Sequence, residues 1–108
     1  MTVYKLANDC QFNILNLSDP DREIDGVYIG DLLSWVMGRA QADNVWITIM
    51  SNINVVAVAS LSDVSCVLLA EDVTLEEDVL NTAKTKGINV LSTNLSAFDA
   101  AVKVSGVL

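Results

Sequence analysis

The sequence contains no histidine. That excludes histidine-activated nucleophiles, histidine general bases and histidine zinc ligands. It has one proline, Pro20, and two cysteines, Cys10 and Cys66. The cysteines lie far apart in apolar surroundings and neither belongs to a Cys-x-x-Cys pair. They read as reduced core residues, which fits a cytoplasmic setting. Bases are scarce: six Lys and Arg stand against fourteen Asp and Glu, a net charge of −8. Arg22 and Arg39 are isolated, and Lys84 and Lys86 sit together only at a helix end, so no basic patch exists. Neither nucleic acid nor an anionic membrane is an expected partner. No apolar run reaches the roughly 18–20 residues that span a bilayer, and the first residues lack the pattern of a signal peptide. A glycine-rich phosphate loop is also missing, since residues 26–30 carry no GxGxxG spacing and no following lysine.

What remains is 108 residues, 52% of them apolar. That suffices for one domain over residues 1–108 with a core that needs no disulfides. Residues 45–71 organise it, reading VWITIM, SNINVVAVASLSDV and SCVLLAE. Residues 45–50 are almost uniformly apolar, as in a strand covered on both faces, and residues 65–70 repeat the pattern. Residues 55–61 are ambiguous by composition, because valine favours strands. If the flanking strands are parallel neighbours, their crossover needs about a dozen residues and is usually helical. A helix is therefore expected there, capped by Asn52 or Asn54.

The flanks follow the same logic. Thr2 caps a first helix whose stripe is Val3, Leu6, Ala7 and Cys10. Residues 12–17 read as a short, largely buried strand, 18–21 as a turn, and 23–29 as a further strand. Asp31 is expected to cap a helix with the stripe Leu32, Leu33, Val36, Met37 and Ala40. Trp35 points roughly 130° from the centre of that stripe, so it needs cover from a neighbouring loop or from a second subunit. Thr74 and Glu77 have capping-box spacing. They precede a helix that buries Leu75, Val79, Leu80 and Ala83, carries acids at its start and Lys84 and Lys86 at its end, and stops at Gly87. Residues 88–91 are the last strand. A final helix is marked by Leu95, Phe98, Ala101 and Val102, and capped by Asn94 or by Ser96 with Asp99. Strands alternating with helices predict a single three-layer α/β domain with a largely parallel sheet.

Ligands of such sheets sit beyond the carboxyl ends of the strands. Three loops qualify, and they offer Ser51, Asn52, Asn54, Glu71, Asp72, Thr93 and Asn94 to a small polar metabolite or a nucleotide. Capping and turn formation account for the same residues without a ligand. Glu71 and Asp72 are adjacent acids with no third one close in sequence, so no metal site is assigned. Cys66 is mid-strand without a base. No catalytic residue and no cofactor are assigned, and the chain reads as a non-enzyme.

Residues 26–59, GVYIGDLLSWVMGRAQADNVWITIMSNINVVAVA, resemble the small stand-alone proteins of the DRTGG-domain family, and residues 74–93 match the family's closing elements. The motifs are GDLLS, VWIT, NxVAVA and AxxxGINVLST, in that order. The resemblance implies a fold similar to the N-terminal domain of HPr kinase/phosphorylase. DRTGG domains also accompany CBS domains in regulatory pyrophosphatases and occur in some phosphate acetyltransferases. The implied role is a regulatory or assembly module, a homodimer, without a defined reaction. The name-giving elements are replaced here: the loop after Met50 reads SNIN, and Glu71 and Asp72 stand where the family has a glycine pair.

Overall fold

The centre of the chain folds as its apolar runs dictate. A computed structural model describes residues 1–108. In it β3 (Val45–Thr48) and β4 (Cys66–Leu69) are parallel neighbours in unbroken register, with every residue buried. The helix α3 (Ile53–Ser62) crosses between them. Asn52 is its cap: the side-chain oxygen accepts from the Asn54 amide at 2.9 Å. Asp63 ends it in the left-handed conformation at φ 54°. The second passage repeats the first, through α4 (Glu77–Lys86) to β5 (Val90–Ser92), which runs parallel to β4. Gly87 closes α4 at φ 70°.

The outer strands are β1 (Asn13–Asn16), antiparallel to β5, and β2 (Val27–Ile29), parallel to β3, giving the order β1-β5-β4-β3-β2. Side chains alternate across the sheet. Val45, Ile47, Cys66, Leu68 and Leu91 pack with α1 (Val3–Cys10) and α5 (Ala97–Val107). Trp46, Val67, Leu69 and Val90 pack on the opposite face with α2 (Leu33–Arg39), α3 and α4. The result is three layers. Trp46 is fully buried, and its indole N–H donates to the Gly30 carbonyl at 2.9 Å, pinning the end of β2 to β3. Cys10 and Cys66 are free and buried. Burial pushes the Cys66 thiol up to about 12, so it stays protonated. No helix is long and apolar enough to cross a membrane.

Several local expectations are corrected. Asp31 does not cap α2: the cap is Leu32, with no side-chain bond. The Asp31 carboxylate instead accepts from the Thr48 hydroxyl at 2.8 Å and the Ile49 amide at 3.0 Å, because β3 ends beside it. The Thr74–Glu77 capping box does not form, since α4 begins at Glu77 and is capped by Glu76 without a side-chain bond. The segment 12–17 is a four-residue edge strand whose Asn13 and Ile14 are exposed, so it is not largely buried. The strand expected over 23–29 is confined to Val27–Ile29, and Glu23 forms an isolated bridge with Thr2. On α2 only Val36 is buried. On α5 the buried residues are Ala100 and Val104, while Phe98, 74% exposed, faces outward with Val102. Small side chains let α5 lie close against the sheet, and the larger Phe98 is left on the far side.

The segment joining β1 to β2 runs beneath the strand starts from one edge to the other, and buried polar groups fasten it. The Asn89 amide donates to the carbonyls of Asp19 at 2.8 Å and Ser65 at 3.1 Å, and its oxygen accepts from the Asp19 amide at 2.9 Å. Arg22 donates to the Asp43 carboxylate at 2.7 and 2.9 Å and to the Asp63 carboxylate at 3.0 Å. Burial opposes the Arg22 charge, but hydrogen bonds to Asp43 and Asp63 outweigh it and raise its pKa.

Candidate functional site

Parallel pairing of β3, β4 and β5 brings their carboxyl ends to one rim, as the topology requires. The seven candidate residues do not converge on a single cavity there. Ser51 and Asn52 line a cleft of about 330 Å³ together with Ile53, Glu76, Asp78 and Val79, which places the end of β3 against the start of α4. Glu71 and Asp72 lie across the rim. Their amides donate to the carbonyls of Leu95 at 2.8 Å and Thr93 at 2.9 Å, so they belong to the β4–β5 side. Thr93 is buried, and its hydroxyl accepts from the Leu95 amide at 3.2 Å, a turn role. Asn54 and Asn94 are exposed and line no cavity. Glu76 and Asp78 are the cleft residues the sequence reading left out. Their one advance signal is the run of acids opening α4.

The left-handed backbone at residues 71 and 72 explains the glycine pair that the resemblance associates with this place. Both residues have positive φ, 59° and 62°. The Val73 amide donates back to the Ala70 carbonyl at 3.2 Å, closing a tight turn around them. Glycine adopts that conformation freely, whereas a side chain adds crowding between its Cβ and the next carbonyl. This chain therefore keeps the turn while placing two carboxylates on it.

A second feature lies at the β2 edge. Ile29, Leu32 and Trp35 follow one another from the end of β2 into the first turn of α2, and each is at least half exposed, at 50%, 58% and 52%. No loop covers Trp35. The Arg39 guanidinium sits over one face of its ring at 3.7 Å, a cation–π contact one helical turn away. On the other face of the sheet, Val27 and Ile29 border a groove of about 490 Å³ completed by Tyr28, Ala101, Ser105 and Leu108. None of these six side chains is charged, although the chain's side chains sum to −8.

The two features make no reaction centre. No group of three or more Cys, Asp or Glu side chains is placed to hold a metal ion, and although Lys103 donates to the Cys10 carbonyl at 3.3 Å, burial still raises the pKa of the Cys10 thiol. The fold has a known counterpart. The chain superposes with a TM-score of 0.74 on the CBS and DRTGG domains of the regulatory region of a Clostridium perfringens pyrophosphatase, a crystal structure complexed with its activator diadenosine tetraphosphate. Identity is 14%, and the match covers 95% of this chain but 45% of that one, so the likeness is one of fold and spans under half of the longer protein. No curated protein matches the sequence. The DRTGG-domain family model matches residues 5–107. With nearly its whole length matched, this chain belongs to the DRTGG-domain family.

Proposed function

We propose that the chain is a non-catalytic regulatory module that acts by self-association, and that the β2 side of the sheet is its contact surface. The observation that supports this is the exposure of Ile29, Leu32 and Trp35 along the β2 edge, with a groove free of charged side chains on the opposite face from α2. Large apolar side chains left exposed along one edge of a domain are candidates for an interaction site. An acidic chain approaches its own copy most readily across a surface without charge, because like charges elsewhere repel. A kinship with the N-terminal domain of HPr kinase/phosphorylase belongs to the same proposal and adds no chemistry to it. Sedimentation velocity at micromolar concentration tests the reading. The expected species has twice the 11.6 kDa mass of one chain. A monomer throughout that range removes it.

The strand-end cleft favours a second reading, a sensor of a small polar molecule held by Ser51, Asn52, Glu76 and Asp78. The pyrophosphatase region binds diadenosine tetraphosphate, but Glu71, Asp72, Glu76, Glu77 and Asp78 crowd this rim with negative charge. A polyphosphate would meet repulsion there. A neutral or cationic ligand is the better fit. Thermal-shift titration separates the cases. Stabilisation by polyols or polyamines and none by diadenosine tetraphosphate supports this reading. Stabilisation by the nucleotide alone overturns the charge argument.

A further inference from the structure

We infer that β2 pairs with β2 of a second copy, antiparallel and in one register, so that two five-stranded sheets become continuous. This rests on the self-association proposed above and specifies its geometry.

The backbone sets the register. The Gly26 carbonyl accepts from the Val45 amide at 3.0 Å, and the Gly30 amide donates to the Ile47 carbonyl at 3.2 Å. In a parallel ladder alternate residues bond to the same neighbour. Gly26, Tyr28 and Gly30 thus turn their polar groups to β3. Val27 and Ile29 direct their N–H and C=O groups outward, where no strand pairs with them. In an antiparallel pair, opposed residues that exchange both bonds alternate with opposed residues that exchange none. Setting Tyr28 opposite Tyr28 of the second copy places Val27 opposite Ile29 at both positions. Every outward donor and acceptor of β2 is then used. A two-fold centred on Val27 or on Ile29 would use only half of them. The same two-fold symmetry makes the contact self-complementary and closed, so it ends at two chains.

Only its length of three residues and the flanking Asp25 and Asp31 limit this edge. Residues 27–29 contain no proline, no lysine and no bulge, three of the usual protections of a free strand. Val27 and Ile29 point to the face that carries the uncharged groove, and pairing lays Ile29 of the second copy beside Val27 and over that groove. Charge favours a copy over a basic partner, because no acidic side chain lines the groove. Acids do bound the strand. The same register brings Asp25 of one copy opposite Asp31 of the other at each end. The Asp31 carboxylate is turned back to Thr48 and Ile49, but the proximity still predicts that association tightens as salt is added.

Two substitutions test the geometry in the full-length chain. Ile29→Pro removes an N–H that points away from β3, so the chain's own ladder keeps all its bonds. It should raise the dimer dissociation constant at least tenfold at unchanged far-ultraviolet circular dichroism. Tyr28→Cys places two thiols at a non-bonded pair about 4.5 Å apart between α-carbons, within disulfide range. Mild oxidation should give a dimer linked through position 28, with the buried Cys10 and Cys66 unreacted. A wild-type dimer that survives Ile29→Pro and does not cross-link through position 28 overturns the strand pairing and leaves self-association standing. A wild-type monomer at every concentration removes both. If Ile29→Pro fails to fold, the cross-link alone decides: its presence supports the pairing and its absence overturns it.

Discussion

The two edges of this sheet are treated differently by the sequence. At β1 the register slips between Ile14 and Asn16, an irregularity of the kind that disrupts pairing with a further strand. Asn16 turns its amide inward to the Ile88 carbonyl at 2.7 Å and the Ser18 hydroxyl at 2.8 Å, and Pro20 follows a few residues on. At β2 the register is regular, the side chains are apolar, and the flanking groove and helix carry Ile29, Leu32 and Trp35 into solvent. One edge is finished against pairing and the other is left open to it. Because edge strands invite unwanted association unless protected, an unprotected one beside an apolar patch points to a designated contact.

Substitutions at the core, at the connecting segment and at each edge should have graded effects. The largest effect is expected at Trp46, which anchors β2 through Gly30. Trp46→Ala should cost about 3–5 kcal/mol in urea denaturation and loosen β2 along with the core. Trp46→Phe, which keeps most of the volume, should cost far less. Next is Asn89, which fastens the segment running between the edges. Asn89→Ala leaves both Asp19 backbone groups and the Ser65 carbonyl without their partner, for a loss of about 2 kcal/mol, and should leave dimer affinity unchanged because β2 is not touched. Trp35→Ser should weaken the dimer about tenfold, equivalent to about 1.4 kcal/mol, with the unfolding midpoint of the monomer unaltered. The matching change on the other edge, Ile14→Ser, should leave the dissociation constant where it was. Equal effects of the two would erase the distinction between the edges. The smallest effect lies off both edges. Glu71→Gly relieves a left-handed residue and should stabilise the fold by about 1 kcal/mol without altering association.

The middle of the fold was legible because its physics is local and repeated. Two runs apolar on both faces, separated by the dozen or so residues that a helical crossover needs, define β3, α3 and β4. The stripe of Val3, Leu6, Ala7 and Cys10 and the stop at Gly87 were equally plain, and of the two caps offered for α5 the structure takes Ser96, whose hydroxyl accepts from the Asp99 amide at 3.1 Å. What failed depended on neighbours distant in sequence. Asp31 has the chemistry of a cap, but β3 ends next to it and the Thr48 hydroxyl captures it. Phe98 looked like a core anchor, yet Ala100 and Val104 allow closer approach and α5 turns accordingly. At the rim, Ser51 and Asn52 were visible as strand-end residues. Glu76 and Asp78 were not, because only the docking of α4 beside α3 brings them across. The strained turn at Glu71 and Asp72 had no signal in those residue types, and only the family's glycine pair pointed to it.

Hydrogen exchange at single amides tests the unequal edges most directly. If β2 pairs with a second copy, the Val27 and Ile29 amides should be protected at high protein concentration and lose protection on dilution, while the β1 amides do not respond. Val27 and Ile29 amides that exchange as rapidly at millimolar as at nanomolar concentration would mean that β2 stays unpaired.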